Sequence, residues 1–296
     1  MNFRGMLKSL RYVIEGALVK IILCVFLIMG RKRAANFGAK LTKFIGKKLS
    51  VNKLAYSNIA KALPELSKDE KDQVLDDMWD NLGRIGGEFI HISKVEVSDM
   101  GSILETSEET KRTIEELKSQ NKGGIIFSAH TGNWEVGPKF FQYFGLRVAS
   151  LYRPLNNPYV ENVTAKMRGV ELIPKSASGT RKIIDVIKKG GFVIIMADQK
   201  VSEGEPVKFF HDEAITTTSI ARIALKYDIP LIPARSIRIG KEFKFRVEAQ
   251  NPLIFEKTHD LNKDVLSLTR KINCKLEDWI REYPAQWFWV HNRWKR

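Results

Sequence analysis

Hydrophobic and polar positions follow different periods in the two parts of the chain. Before Gly124 apolar residues recur at helical spacing, and after it short apolar runs alternate with helical patterns. Six of these runs are expected to be strands: Gly124–Phe127, Leu146–Leu151, Glu171–Ile173, Phe192–Ala197, Leu231–Ser236 and Phe243–Val247. Helices are expected between most of them, at Glu135–Phe144, Pro158–Arg168, Gly179–Lys189 and Thr218–Tyr227. The alternation predicts an α/β fold with a mixed, largely parallel central sheet flanked by helices.

The most apolar stretch of the chain is Tyr12–Gly30. Its uncharged part, Ile21–Gly30, is shorter than the roughly 20 residues that span a bilayer. Because Arg31-Lys32-Arg33 follows and no cleavage pattern does, we interpret the stretch as a signal-anchor or interfacial helix. If it spans, the heavier positive flank places the rest of the protein in the cytoplasm. The alternative is a buried core helix.

Further helix signals lie on both sides of the sheet region. Ala34–Leu49 carries lysines between apolar positions, as in an amphipathic helix on anionic lipid. Ser67 and Glu70 form a capping box for a helix that runs toward His91, which we expect to be packed rather than catalytic. These patterns suggest an anchor with basic flanks (1–33) and one further domain (34–296). That domain comprises a mainly helical part (34–122), an α/β core (123–260) and a C-terminal helix with an aromatic, basic tail (261–296).

Polar side chains follow directly after several expected strands, at His130, Arg153, Lys175 and Asp198. Ligands of such sheets bind beyond the carboxyl ends of the strands, so one shared pocket is expected. His130 and Glu135 flank the bend Thr131-Gly132-Asn133 and can converge across it, as a general base and its orienting partner. The same spacing is equally compatible with a His130 that caps a turn and a solvated Glu135.

The net charge limits the expected binding partners to polyanions but does not select one of them. The chain has 49 Lys and Arg against 34 Asp and Glu, a formal net charge of +15. This predicts a polyanionic partner: nucleic acid, anionic lipid or an acidic carrier protein. The Trp-rich basic tail suits a membrane interface or stacking on nucleic acid. Only two cysteines are present and no H-E-x-x-H motif, so no disulfide, metal or cofactor is expected.

Several stretches together resemble one family, the bacterial lipid A biosynthesis late acyltransferases (lauroyl and myristoyl transferases), within the lysophospholipid (glycerolipid) acyltransferase superfamily. The stretches occur in the family's order: His130-Thr131-Gly132-Asn133-Trp134-Glu135, Tyr152-Arg153-Pro154 with Asn156-Asn157-Pro158, Leu172-Ile173-Pro174-Lys175, Asp198-Gln199, Thr216-Thr217-Thr218, and Gln286-Trp287-Phe288-Trp289-Val290-His291-Asn292-Arg293-Trp294-Lys295. Departures from the family pattern at Lys200, His211, Ala285 and Asn292 leave the acyl-chain and acceptor details open.

The resemblance implies transfer of a fatty acyl chain from an acyl-acyl carrier protein thioester to a hydroxyl of a lipid A precursor. The site would be on the cytoplasmic side of the bacterial inner membrane. His130 would be the general base, oriented by Glu135, and backbone N–H groups near Gly132 or the Arg153 guanidinium would stabilise the oxyanion. The remaining substrate-binding candidates are Lys175, Arg181, Asp198 and Gln199, with Asp198 in an orienting role.

Two rival functions remain. The phosphatidylinositol mannoside acyltransferases are similar but use acyl-CoA as the donor. A membrane-attached nucleic-acid-binding protein without catalysis belongs to a different class. Dispersed basic residues, and Trp residues clustered in a C-terminal tail rather than on a strand platform, argue against nucleic acid as the partner.

Overall fold

The computed structural model describes residues 3–120, 122–201, 203–255 and 257–294. The part before the sheet is helical. Its helices are α1 (Phe3–Met29), α2 (Arg31–Gly46), α3 (Ser50–Ala62), α4 (Lys68–Lys94), a 3₁₀ turn (Val97–Ser102) and α5 (Glu108–Ser119). The expected capping box is present at the start of α4, since Ser67 accepts from the Glu70 N–H and the Glu70 carboxylate accepts from the Ser67 N–H. Helix α3 has weak apolar periodicity and was not predicted.

Strands and helices alternate through the rest of the chain. The elements are β1 (Leu104–Glu105), β2 (Gly124–Ser128), α6 (Val136–Tyr143), β3 (Val148–Tyr152), α7 (Pro158–Met167), β4 (Glu171–Pro174), α8 (Ala177–Lys188), β5 (Phe192–Met196), β6 (Glu205–Phe209), β7 (Asp212–Thr216), α9 (Ser219–Tyr227), β8 (Leu231–Arg238), β9 (Phe245–Ala249) and α10 (Leu261–Glu282). A short 3₁₀ turn, Pro284–Gln286, follows α10. The predicted strands correspond to β2, β3, β4, β5, β8 and β9.

The seven-stranded sheet has the order β1-β9-β8-β2-β5-β3-β4. The strands from β8 to β4 pair in parallel, and β9 pairs antiparallel with β8, which confirms the predicted mixed, largely parallel α/β fold. Strands β6 and β7 form a separate antiparallel hairpin. Ile125 and Phe127 of β2 face a core shared with α8, α9 and α10, while Ile126 faces a second core shared with α5 and α6. Both faces of the sheet are therefore covered, and its strand ends remain for a site.

Helix α1 is apolar and mostly exposed. Residues Gly5–Met29 form a helix that is long and apolar enough to cross a membrane, and only 11% of its apolar window is buried. The helix also rests on α7, because the Asn157 amide donates to the Tyr12 carbonyl (3.0 Å) and to the Glu15 carboxylate (2.8 Å). Its other end contacts α4, where His91 Nε2 lies 3.0 Å from the Phe26 carbonyl. Both contacts fasten the apolar helix to the rest of the protein.

Helix α2 packs against α4 through small residues. A Cβ atom on Gly38 would lie 2.2 Å from the Gly83 carbonyl oxygen, so the two backbones approach as only glycine permits. The other face of α2 exposes Phe37, Leu41 and Phe44 to solvent. Lysines stand beside these side chains in the sequence, which fits the expected amphipathic surface.

Candidate active site

His130 and Asp198 meet at the carboxyl ends of two neighbouring strands. Strands β2 and β5 pair in parallel with Ser128 opposite Met196, and each site residue follows its strand by two positions. The Ala197 N–H donates to the Ser128 carbonyl at 2.9 Å, which continues the pairing beyond the strands. As a result, His130 Nδ1 lies 2.8 Å from Asp198 Oδ1. The predicted convergence of residues at strand ends holds for this pair.

The Asp198 carboxylate is fully buried and accepts three hydrogen bonds. One comes from the His130 ring, one from the His130 backbone N–H to Oδ2 (2.8 Å), and one from the Trp287 indole N–H to Oδ2 (2.8 Å). Burial alone would raise the pKa of Asp198, but the His130 charge and the two hydrogen bonds from His130 hold that pKa well below its usual range. Asp198 therefore remains a carboxylate that faces the imidazole.

The His130 ring has one held nitrogen and one nitrogen directed away from Asp198. Burial lowers the pKa of His130, but the Asp198 charge, its hydrogen bond and the Glu135 charge outweigh burial and raise that pKa above 6.5. The ring is packed against Trp134 (centroids 5.0 Å apart) and Phe288 (6.4 Å), and its side chain is 16% exposed. The Gln199 amide nitrogen lies 3.4 Å from Nε2. An imidazole with Nδ1 held and Nε2 accessible is suited to accept a proton.

The loop after His130 is fixed by backbone conformation. Gly132 has φ +56°, and a Cβ atom there would lie 2.3 Å from the Ser236 carbonyl oxygen. The Gly132 N–H donates to the Gln286 carbonyl at 3.1 Å. The tail therefore occupies the Gly132 N–H itself, and the prediction of an oxyanion donor stays with the other backbone N–H groups near Gly132 or with the Arg153 guanidinium.

A buried ion pair supports the same loop. Arg238 donates to both carboxylate oxygens of Glu88 (2.6 and 2.7 Å), and Glu88 also accepts from the Asn133 amide (2.9 Å). Arg238 further donates to Asn81, whose amide donates to the Gly132 carbonyl. The Asn133, Glu88 and Arg238 side chains are almost fully buried. This network ties α4 and β8 to the loop and limits the positions that His130 can take.

Glu135 lies near His130 but bonds another residue. It precedes α6 as the N-cap residue, and its carboxylate accepts two hydrogen bonds of 3.1 Å from the Arg168 guanidinium, at the C-terminal cap of α7. The carboxylate that holds the His130 ring is Asp198, so the expected hydrogen-bonded pairing with Glu135 is corrected. Glu135 acts on His130 through its charge, which raises the pKa of the imidazole.

The other predicted site residues separate into two groups. Gln199 joins His130 and Asp198, as described above. Arg153 and Lys175 follow β3 and β4 at the same end of the sheet, and Arg181 lies on α8; all three are exposed. The first group surrounds the imidazole, and the second forms a basic margin on the β3–β4 side of the sheet.

The C-terminal tail is part of the interior. Trp287, Trp289 and Arg293 are each at most 1% exposed, so the expectation that these side chains meet a membrane interface or nucleic acid is wrong. The tail pairs with the loop that carries His130, since Thr131 and Trp287 form an antiparallel bridge and the Phe288 N–H donates to the His130 carbonyl. Lys295 and Arg296 lie outside the described residues.

Two contributors to the site could not be read from the sequence. Arg168 reaches Glu135 from 33 positions away, and Trp287 reaches Asp198 from 89 positions away. Among the described residues, no group of three or more His, Cys, Asp or Glu side chains could hold a metal ion. The His130–Asp198 pair offers proton transfer by a carboxylate-held imidazole.

Comparisons with known proteins identify the family of the chain. A family model for the bacterial lipid A biosynthesis acyltransferases matches residues 1–296. The chain is also 21% identical over 261 residues to a lipid A biosynthesis acyltransferase of Haemophilus influenzae, an alignment that covers 85% of this chain and 78% of the relative. The chain is therefore an acyltransferase and belongs to the bacterial lipid A biosynthesis acyltransferase family.

Proposed function

We propose that the protein transfers a fatty acyl chain from an acyl-acyl carrier protein to a hydroxyl of a lipid A precursor, with His130 as the general base. The observation that carries this proposal is the buried Asp198 carboxylate on His130 Nδ1, with Nε2 left accessible beyond the strand ends. A hydroxyl is a weak nucleophile, and removal of its proton as it attacks a thioester requires such a base. The hydroxyl oxygen forms an ester with the acyl carbon, and the carrier thiolate leaves.

Asp198 orients the ring and stabilises the imidazolium that forms during attack. The bond to Nδ1 fixes the tautomer in which Nε2 carries a lone pair. The hydrogen bond from the His130 backbone N–H to Asp198 fixes the same carboxylate relative to the loop that carries His130. A direct transfer needs no acyl-enzyme, so these groups suffice for the proton transfer.

Charged and amide groups around the imidazole are proposed to bind substrate. Gln199 reaches the Nε2 side of the ring and can donate to the attacking hydroxyl or to the thioester oxygen. Arg168, which is paired with Glu135, is proposed as a further group that contacts substrate. Arg153, Lys175 and Arg181 supply the exposed basic margin for the phosphates of a lipid A precursor.

Attachment to the bacterial inner membrane, with the catalytic domain on the cytoplasmic side, is proposed from three features. Helix α1 is exposed and apolar, Arg31-Lys32-Arg33 follows it, and α2 exposes large apolar side chains beside lysines. The net charge of +15 favours an anionic bilayer, an anionic acceptor and an acidic donor protein.

Purified protein tests both substrates. The same acyl chain is supplied either as its acyl carrier protein thioester or as its CoA thioester, together with a detergent-dispersed lipid A precursor. Mass spectrometry should show an added acyloxyacyl ester, and the reaction should be faster with the carrier protein thioester. A preference for CoA would overturn the donor assignment. Absence of acyl transfer from either thioester would overturn the proposed function.

A further inference from the structure

The C-terminal tail contributes a side chain to the proton-transfer site. The Trp287 indole N–H donates to Asp198 Oδ2 at 2.8 Å, on the side of the carboxylate away from the His130 ring. Trp287 is 1% exposed, so this bond forms without competition from water. The backbone around it is bound to the loop that carries His130, through the Thr131–Trp287 bridge and the Phe288 N–H to His130 carbonyl bond.

We propose that Trp287 is a positioning residue that sets the basicity of His130 through Asp198, a role that rests on the proposed function of His130 as the base. A hydrogen bond to a carboxylate stabilises its negative charge and withdraws part of that charge from its other partners. The indole N–H therefore moderates the pull of Asp198 on the imidazolium. It also fixes the orientation of the carboxylate, so that Oδ1 faces Nδ1.

The groups around the pair leave His130 as the residue whose titration the assay reports. His291 faces Asp198 from the tail, and burial lowers the pKa of His291 to about 4, so this ring is neutral at working pH. Arg293 also faces Asp198, and burial lowers its pKa only to about 10, so it stays charged. Glu135 faces His130 from the start of α6 and is paired with Arg168. The acidic limb of the rate is therefore assigned to His130, whose pKa is raised by the Asp198 charge and hydrogen bond.

The test is the pH profile of kcat/KM for Trp287→Phe. Loss of the indole N–H leaves Asp198 more basic toward His130, so the pKa of His130 rises and the acidic limb moves to higher pH. We expect a shift of about 0.5–1 pH unit, which is a roughly 3- to 10-fold loss below the limb with a smaller change on the plateau. An equal loss at every pH would show only a structural role and would overturn the proposal.

Trp289→Phe is the matched control. Trp289 is also fully buried, but its indole N–H donates to the Pro284 carbonyl at 2.7 Å rather than to a carboxylate. The control loses one buried indole bond of the same tail and should keep the wild-type limb. If wild type transfers acyl chains with an acidic limb and Trp287→Phe does not move it, the role of Trp287 fails while the proposed function stands.

If Trp287→Phe does not fold, a measurement on the wild-type protein still tests the proposal. The chain has six tryptophans, and Trp→Phe variants at the other five positions assign the Trp287 indole resonance by elimination in ¹⁵N-labelled protein. That resonance should shift with pH at the midpoint of the kinetic limb, while the Trp289 resonance should not. A Trp287 resonance that does not respond through the limb would overturn the proposal.

Discussion

Asp198→Asn is the substitution that separates the two carboxylates near His130. Two donors, the His130 backbone N–H and the Trp287 indole N–H, converge on Oδ2 at 2.8 Å each. The amide oxygen of asparagine must take that position, because an NH₂ group there would face two other donors. The NH₂ group then occupies the Oδ1 position and donates to His130 Nδ1. This bond moves the ring proton to Nε2, and that tautomer cannot accept a proton from a hydroxyl.

The expected loss is large because two effects add. The variant holds the wrong tautomer and also lacks the negative charge that stabilises the imidazolium. We expect kcat/KM to fall about 10³–10⁴-fold, as for an orienting carboxylate of a catalytic histidine. The pKa of His130 is raised by Asp198, so the residual activity should have its acidic limb at lower pH than wild type.

Glu135→Gln is the matched control, with the same change of charge and a similar change of shape. Its carboxylate holds Arg168, so the variant loses a charge-assisted hydrogen bond. It also loses the negative charge that raises the pKa of His130 from a distance. We expect a fall of about tenfold in kcat/KM, the lower range for hydrogen bonds to charged groups. Acyl transfer by purified variants is measured against pH, with circular dichroism and thermal unfolding to verify folding. A loss for Glu135→Gln that equals or exceeds the loss for Asp198→Asn would refute the reasoning.

Three further predictions concern the loop, the anchor and the basic margin. Gly132→Ala should lower the free energy of unfolding by about 1–3 kcal/mol, because Gly132 has a positive φ and an added Cβ would clash with the Ser236 carbonyl. Thermal unfolding measures this, and Gly137→Ala, where an added Cβ meets open space, is the control and should be near wild type. Deletion of residues 1–33 should move much of the protein out of the membrane fraction in flotation while some activity on detergent-dispersed substrate remains, and complete unfolding would contradict the anchor. Arg153→Lys should raise KM for an anionic acceptor about tenfold, since lysine lacks the planar fork, and an unchanged KM would exclude two-point binding.

The sequence predicts where the site lies but not which carboxylate bonds to His130. Periodicity locates β2 and β5, so both His130 and Asp198 were expected at strand ends. Which strands are neighbours is a long-range property, and β5 is inserted next to β2 although β3 and β4 lie between them in the chain. Proximity in sequence favoured Glu135 as the partner of His130. The sheet order brings Asp198 to the ring instead, and the bend into α6 directs Glu135 to Arg168.

The prediction of an exposed tail, made from composition, was wrong for a related reason. Tryptophan and arginine in a terminal segment are typical of an interface, but burial depends on what the segment packs against. Here the two Nη groups of Arg293 donate to the Ile215 carbonyl and the Thr216 hydroxyl, so these two groups are satisfied inside the protein. The Thr131–Trp287 bridge and the indole N–H bond fix Trp287 beside Asp198. None of these partners is near the tail in sequence, so no local pattern could reveal them.

The central claim is that His130 is the general base of acyl transfer. The most direct test is turnover by purified, folded His130→Ala protein with an acyl carrier protein thioester and a lipid A precursor, followed by mass spectrometry of the acylated lipid. We predict a loss of about 10²–10⁴-fold in turnover with lipid binding retained, since His130 is assigned to proton transfer rather than binding. Turnover at the wild-type rate by the folded variant would contradict the assignment of His130 as the base.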